Sequence, residues 1–248
     1  MDQEPGLDMH IALLTALTPG CPERRRVEEI VLRYYAKQRF AARVAIVSED
    51  YAGVEGWTYV YAANEPLGKK WNAGLSFIRD VAPDAVMIVG SDDLITEDWV
   101  RQARLYLKKG YDHLYGRDFH FYDTQTGTLT YMAQCLPGAG RFVSARALEQ
   151  LNWAPWPDGS MRYLDSGFNA RIARLTGLKT VKMRNVIGLD IKTRTNLWQV
   201  DERGLAGSHG GHIAVRQMHH VDDPAAWLRM HFGSVADELL SLGLERAA

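Results

Sequence analysis

Cysteine is scarce: 248 residues contain two, Cys21 and Cys135, far apart and without CxxC or Cys/His ligand spacing. That excludes a disulfide framework and a zinc pattern, and it reads as a reduced, cytosol-like compartment. Long apolar runs are missing as well; none approaches the ~18 residues a bilayer-spanning helix needs. Residues 1–8 are acidic and polar, unlike the start of a secretory signal. The formal net charge is only −1, so no global field draws the chain to nucleic acid or to an anionic membrane, although a local basic groove survives that sum. There is no Walker motif and no GxGxxG, which leaves a P-loop enzyme or a Rossmann dehydrogenase without support. No internal repeat, low-complexity tract or linker interrupts the chain. The expectation is a soluble cytoplasmic protein forming a single domain over residues 1–248, with no membrane and no protein partner implied.

What is present is an alternation of strand and helix signals. Residues 11–17 form an apolar strand closed by Thr18, Pro19 and Gly20. Pro22 then opens a helix with Val27, Ile30, Val31 and Tyr34 on one face. Strands are predicted at 43–48 and 57–61, then a helix over 67–81 with a stripe of Trp71, Leu75 and Ile78. Another strand at 85–89 precedes a helix over 96–108. This order is that of a nucleotide-binding α/β sheet. The second half differs. Residues 111–122 and 128–134 read as strands joined by a turn, an antiparallel addition to the sheet. Helices are predicted at 144–151 and 162–175, and one or two strands at 180–191. Residues 196–220 are polar, Gly-rich and His-rich without period, the pattern of a mobile lid. A C-terminal helix starts near Asp222 or Asp223 as cap and buries Trp227, Phe232, Val235, Leu239 and Leu240.

The chemistry concentrates where the strand at 85–89 ends in Gly90, Ser91, Asp92 and Asp93. A continuous apolar run with β-branched residues is a strand buried on both faces, and ligands bind beyond the carboxyl ends of such strands. At ~4 Å and an effective dielectric near 20, adjacent carboxylates repel by roughly 4 kcal/mol. A divalent cation such as Mg²⁺ or Mn²⁺ removes that repulsion. The alternative is a cap for the helix beginning near Thr96. Between the third strand and its helix, Gly68, Lys69 and Lys70 bring backbone donors, the helix dipole and cations together, as a diphosphate requires. A solvated basic turn is the plainer reading.

Four pieces follow in order: Thr15-Ala16-Leu17, Ser48-Glu49-Asp50, Asn64-Glu65-Pro66-Leu67-Gly68-Lys69-Lys70-Trp71-Asn72-Ala73-Gly74, and Gly90-Ser91-Asp92-Asp93. Together they resemble the nucleotide-sugar half of a GT-A glycosyltransferase of the family 2 type. The resemblance covers residues 9–110 and continues more loosely to about residue 192. It implies a mixed, mostly parallel central sheet flanked by helices, divided into a donor half (9–110), an acceptor half (111–195) and a loop plus C-terminal helix (196–248). By that resemblance Thr15, Ala16 and Leu17 line the nucleoside pocket, and Glu49 or Asp50 approaches uracil or ribose. Lys69, Lys70 and Asn72 lie near the base or diphosphate, Asp93 is the direct metal ligand, and Asp92 lies near the sugar or ribose. Ser91 departs from the motif, where another Asp is common.

The resemblance also places a general base at Asp165, for an inverting transfer that needs a carboxylate beside the acceptor hydroxyl. An N-cap is its bland reading, and Asp158 is the reserve. His209 and His212 stand in a C-terminal loop, where related enzymes often take a further metal ligand. Lys192 and Arg194, just beyond a strand, would hold a donor or acceptor phosphate or simply face water. Arg141, Trp153, Trp156 and Arg162 read as an aromatic, partly basic acceptor wall. The Gly-rich stretch at 138–142 with Leu151-Asn152-Trp153-Ala154-Pro155-Trp156 resembles small phage-type glycosyltransferases. Some of those modify a hydroxymethylated base in DNA, in the host cytoplasm. The implied activity is therefore Mn²⁺- or Mg²⁺-dependent hexosyl or pentosyl transfer from a nucleotide-sugar, UDP-linked by resemblance. The acceptor is hydroxymethylated DNA or else a glycan, lipid-linked or small molecule. Competing readings are an inactive nucleotide-sugar-binding module, favoured by Ser91, and a nucleotidyltransferase, for which residues 18–26 make a poor phosphate loop.

Overall fold

Alternation along the first strand decides the layering. The computed structural model describes residues 9–133, 138–162, 164–196, 198–201, 204–207, 212–214 and 217–244. It begins with β1 (Ile11–Ala16), α1 (Pro22–Ala36), β2 (Ala42–Val47), β3 (Thr58–Tyr61), α2 (Leu67–Arg79), β4 (Ala85–Ile88), β5 (Asp93–Ile95) and α3 (Glu97–Lys108). Then come β6 (His113–Gly116), β7 (Phe119–Asp123), β8 (Leu129–Ala133), β9 (Arg141–Ser144), α4 (Ala145–Gln150) and α5 (Leu164–Ile172). The remainder is β10 (Thr180–Met183), β11 (Gly188–Lys192), β12 (Trp198–Asp201), β13 (Gly204–Gly207), β14 (His212–Ala214), β15 (Gln217–His220), α6 (Pro224–Phe232) and α7 (Val235–Leu244).

Side chains in a strand point alternately to opposite faces. Ile11 and Leu13 of β1 therefore enter one core with Val27 and Val31 of α1 and Trp99 of α3. Ala12 and Leu14 enter the other with Leu75 and Ile78 of α2 and Phe168 of α5. A strand apolar from Ile11 to Leu14 is thus covered on both sides, as its composition requires.

The main sheet runs β10-β6-β9-β4-β1-β2-β3, with β4, β1, β2 and β3 parallel and β9 antiparallel between β4 and β6. Parallel strands end on one side, so the segments after β1, β2, β3 and β4 share one rim. The antiparallel β9 begins at that rim, because Arg141 pairs with Ile88. A second sheet, β15-β8-β7-β11-β5, sets β11 against β5 with Asp190 opposite Asp93. A three-stranded sheet holds β12, β13 and β14.

This is the mixed α/β, mostly parallel architecture expected, with corrections in the second half. Residues 111–122 are two strands in different sheets, as are 180–191: β6 and β10 extend the main sheet, whereas β7 and β11 help to build a second one. Periodicity reveals a strand but not its partner. The presumed lid contains β12 to β15. The C-terminal helix is two, α6 capped by the Asp223 side chain accepting from Ala226 N, and α7 after a break at 233–234. Among the described residues no helix is long and apolar enough to cross a membrane.

Candidate active site

Asp92 and Asp93 lie at the rim between the two sheets, directly after β4. Asp92 Oδ2 accepts from Arg24 Nη1 and from Asn196 Nδ2, both at 2.6 Å. Burial works against the Asp92 charge, but Arg24 and Lys192 outweigh it and hold the carboxyl below its ordinary range. Asp93 is more enclosed, and its Oδ2 accepts from Gly90 N at 2.8 Å. Burial, then Asp190, then Asp92 push the Asp93 carboxyl well above the ordinary carboxylate range. Asp190 rises to about 6, chiefly through burial, with Lys192 opposing at 2.7 Å. Neighbouring acids in one enclosed site thus carry opposite tendencies, because one has a guanidinium and the other has acids as neighbours.

These residues fit a divalent cation. The carboxylates of Asp92 and Asp93 close in on Gly90, where a Cβ would overlap Asp93 Oδ2 and lie 3.0 Å from Asp92 Oδ1. Asp190 Oδ1 is buried with no hydrogen-bond partner. Carboxylate oxygens gathered this closely suit Mg²⁺ or Mn²⁺, which commonly bind through one or two carboxylates plus substrate phosphates. Among the described residues no group of three or more His, Cys, Asp or Glu could by itself hold a metal ion, so most of the coordination would fall to substrate and water.

Ser91 does not sit idle where an acid is common. Its Oγ donates to Glu28 Oε1 at 3.0 Å, and Arg24 Nη2 reaches the same Oγ at 3.4 Å. Glu28, fully buried on α1, also accepts from Thr18 N at 2.6 Å. A carboxylate from the helix therefore stands behind the motif.

On the donor side, Thr15 is fully buried with its hydroxyl unpartnered, Leu17 is buried and Ala16 half-buried. Glu49 Oε1 accepts from Gly20 N at 3.0 Å and Arg25 Nη2 at 2.8 Å, while Asp50 is exposed. The cradle expected at the start of α2 is built differently. The loop 156–160 packs over that turn, and Gly68 N donates to Ser160 O at 2.9 Å. Lys70 turns inward, donating to Leu17 O at 2.5 Å and Asn64 Oδ1 at 2.9 Å. Burial lowers the Lys70 ammonium to about 8, against the pull of Glu28 and Glu49. Lys69 alone of the three is exposed. Asn72 ties the same loop down, donating to Trp156 O at 2.7 Å and Asp158 Oδ1 at 2.9 Å.

The acceptor wall is also corrected. Trp153 and Trp156 are core residues, packed with Phe168 and Ile172, because the loop that carries them folds under α5. Arg141 is 2% exposed rather than facing a cleft. Of the four, Arg162 is exposed. Asp165 lies in the first turn of α5, its carboxylate open to solvent and bound at 2.6 Å by Arg141. Since Arg141 pairs with Ile88, the anchor of Asp165 stands at the same rim as Asp92 and Asp93. Lys192 is buried against Asp190, and Arg194 is exposed, donating to Gln125 Oε1 at 3.0 Å. His212 falls on β14, and His209 lies outside the described residues.

Arg24, Glu28, Asp190 and Asn196 were not singled out from sequence. Two signals existed. Arg24 and Glu28 are four apart on one helix face, and Asp190 and Lys192 are two apart on one strand face. Nothing local marks Asn196, which reaches Asp92 across 104 residues.

No protein-family model matches the sequence, and no curated protein matches it. Solved structures do match. A fragment of TarS from S. aureus in complex with UDP matches with a TM-score of 0.50 at 11% identity, covering 75% of this chain and 61% of that one. A protein from STIV matches at 0.44 and 12% identity, covering 84% and 95%. The 4-diphosphocytidyl-2C-methyl-D-erythritol synthase from Anaerococcus prevotii matches at 0.42 and 11%, covering 71% and 88%. This chain therefore spans about three fifths of the TarS fragment. At these identities the likeness is one of fold, and that fold is GT-A-like.

Proposed function

We propose that this chain transfers a sugar from a nucleoside-diphosphate sugar, UDP-linked, to an acceptor hydroxyl, with inversion at the sugar. The observation that carries this reading is the Asp92–Asp93 pair at the carboxyl end of β4, in a fold shared with a UDP-bound structure. Asp93 and Asp92 would hold Mn²⁺ or Mg²⁺, which when bound neutralises charge on the departing diphosphate. Asp165 takes the proton of the acceptor hydroxyl as its oxygen bonds to the anomeric carbon and the bond from that carbon to the diphosphate breaks. Glu49, partly exposed, stands on the nucleoside side of the site, with Thr15 and Leu17 buried in the strand end that precedes it. With Trp153 and Trp156 in the core, the acceptor side offers Arg162 and Asp165 rather than a stacking wall. A hydroxymethylated base in DNA remains the acceptor to try first, followed by glycans and small molecules.

The nucleotidyl-transfer alternative needs free backbone donors after β1. Thr18 N and Gly20 N are instead taken by the carboxylates of Glu28 and Glu49. One assay separates the readings. A nucleotide-sugar panel with Mn²⁺, with and without hydroxymethylcytosine DNA, is read for released diphosphate and for DNA mass. Glycosyl transfer yields nucleoside diphosphate, and a sugar-sized gain on DNA identifies the acceptor. Pyrophosphate in its place overturns the proposal, and donor binding without any turnover marks an inactive binding module.

A further inference from the structure

The contact between Arg141 and Asp165 is unequal in a way that stability alone does not explain. The Asp165 carboxylate is 61% exposed, whereas the Arg141 side chain that binds it is 2% exposed. An exposed carboxylate is solvated by water and gains little from an ion pair. A guanidinium withdrawn from water loses much, and it recovers that loss only through well-formed hydrogen bonds. Arg141 is incompletely satisfied: Nε donates to Gly138 O at 2.8 Å and Nη2 to Asp165 Oδ1 at 2.6 Å, but Nη1 is buried without a partner. Its remaining support is the face of Phe168, 4.7 Å from Cζ. An apolar pair would join β9 to α5 more favourably than this arrangement does.

Gly138, whose carbonyl accepts from Arg141 Nε, approaches the same carboxylate as closely. A Cβ on Gly138 would overlap the Oδ1, Cγ and Oδ2 atoms of Asp165, so the loop closes on the acid only because position 138 has no side chain. The acid is thus held by a buried guanidinium and by bare backbone.

Resting on the glycosyl-transfer reading, we propose that Arg141 is a positioning residue that fixes the rotamer of Asp165, with Gly138 as its steric counterpart. Oδ1 is committed to the guanidinium, and Oδ2 is the oxygen that receives the acceptor proton. Misplacing a reacting group by about 1 Å lowers turnover by roughly 10²-fold. A bidentate-capable guanidinium on a rigid strand prevents that displacement better than a flexible ammonium.

The test measures diphosphate release from the donor, with water as acceptor where no other is known, together with calorimetric donor affinity. Arg141→Met and Gly138→Ala should each lower kcat about 10²-fold and leave donor affinity within twofold. Arg141→Lys should recover part of the loss. Adding Arg141→Met to Asp165→Asn should cost no further turnover, because the two act through one carboxylate. A folded Arg141→Met or Gly138→Ala enzyme with kcat within threefold of the parent overturns the proposal. So does a loss of donor affinity that matches the loss of turnover. If Arg141→Met fails to fold, Gly138→Ala decides alone. A parent protein that releases no diphosphate from any donor overturns the underlying reading, and this one with it.

Discussion

The two acidic centres at the rim of the main sheet are built on opposite plans. Asp92 and Asp93 are enclosed acids among other acids, and two interior cations, Arg24 and Lys192, share the work of offsetting them. Asp165 is an exposed acid with one interior cation and no second carboxylate among its recorded partners. Enclosure makes the first pair sensitive to any added or removed charge, the property the proposed cation site draws on. Exposure leaves the second within reach of an arriving hydroxyl, the property the proposed base draws on. The same residue type therefore sits in opposite electrostatic settings according to what surrounds it.

The largest effect should come from the enclosed centre. Asp93→Asn is expected to abolish Mn²⁺-dependent donor binding and to lower turnover by about 10³-fold or more. Unchanged calorimetric binding and unchanged turnover would remove the metal from Asp93. The exposed centre should respond differently. Asp165→Asn keeps donor binding while turnover falls by about 10²- to 10⁴-fold, and near-normal rates would move the base to another acid. The contrast can then be sharpened in stability rather than rate. Arg24→Gln leaves Asp92 enclosed with Asn196 alone, and denaturant unfolding should show a loss of about 3–5 kcal/mol, the usual result of breaking a buried pair from one side. A loss below about 1 kcal/mol would mean that Asp92 is solvated despite its setting.

The smallest effect is a pH slope away from both centres. His113 is buried beside Phe168, with Nε2 unpartnered, and burial, then Arg141, lowers it to about 3. Its folded value lies below the unfolded one of about 6.5, so the unfolded chain binds the extra proton between them. Stability contributed by neutral His113 is present above pH 6.5 and falls as pH drops toward 3, by about 1.4 kcal/mol per pH unit. Asp190 opposes this trend, since its raised value favours the folded state as acid is added. The difference between the parent and His113→Phe, followed by unfolding from pH 7 to pH 5, isolates the histidine. Parallel curves would show that His113 takes up its proton as readily in the folded protein as in the unfolded chain.

Legibility from sequence followed the range of the interaction. The run at 85–88 declared itself a doubly covered strand because every residue in it is apolar, and the acids after it were visible as a cost needing a partner. The helix faces of Val27, Ile30 and Val31 and of Leu75 and Ile78 were equally local patterns, and they pack as those patterns imply. Trp153 and Trp156 were misplaced because an aromatic loop has the same composition whether it lines a cleft or plugs a core. Lys70 was misplaced because a helix N-terminus binds an anion only if no other chain segment covers it. Here residues 156–160 do.

The amino-acid sequence determined the alternating elements, the two-sided burial of β1 and β4, and the position of the acids just past a strand end. Each of these follows from periods of two or 3.6 residues and from chain continuity. Tertiary structure alone decided which charges meet. Arg24 reaches Asp92 over 68 residues and Asn196 reaches it over 104, while Arg141 crosses 24 to hold Asp165. Electrostatic character depends on distance and burial in space, and neither is encoded in the spacing of residues along the chain.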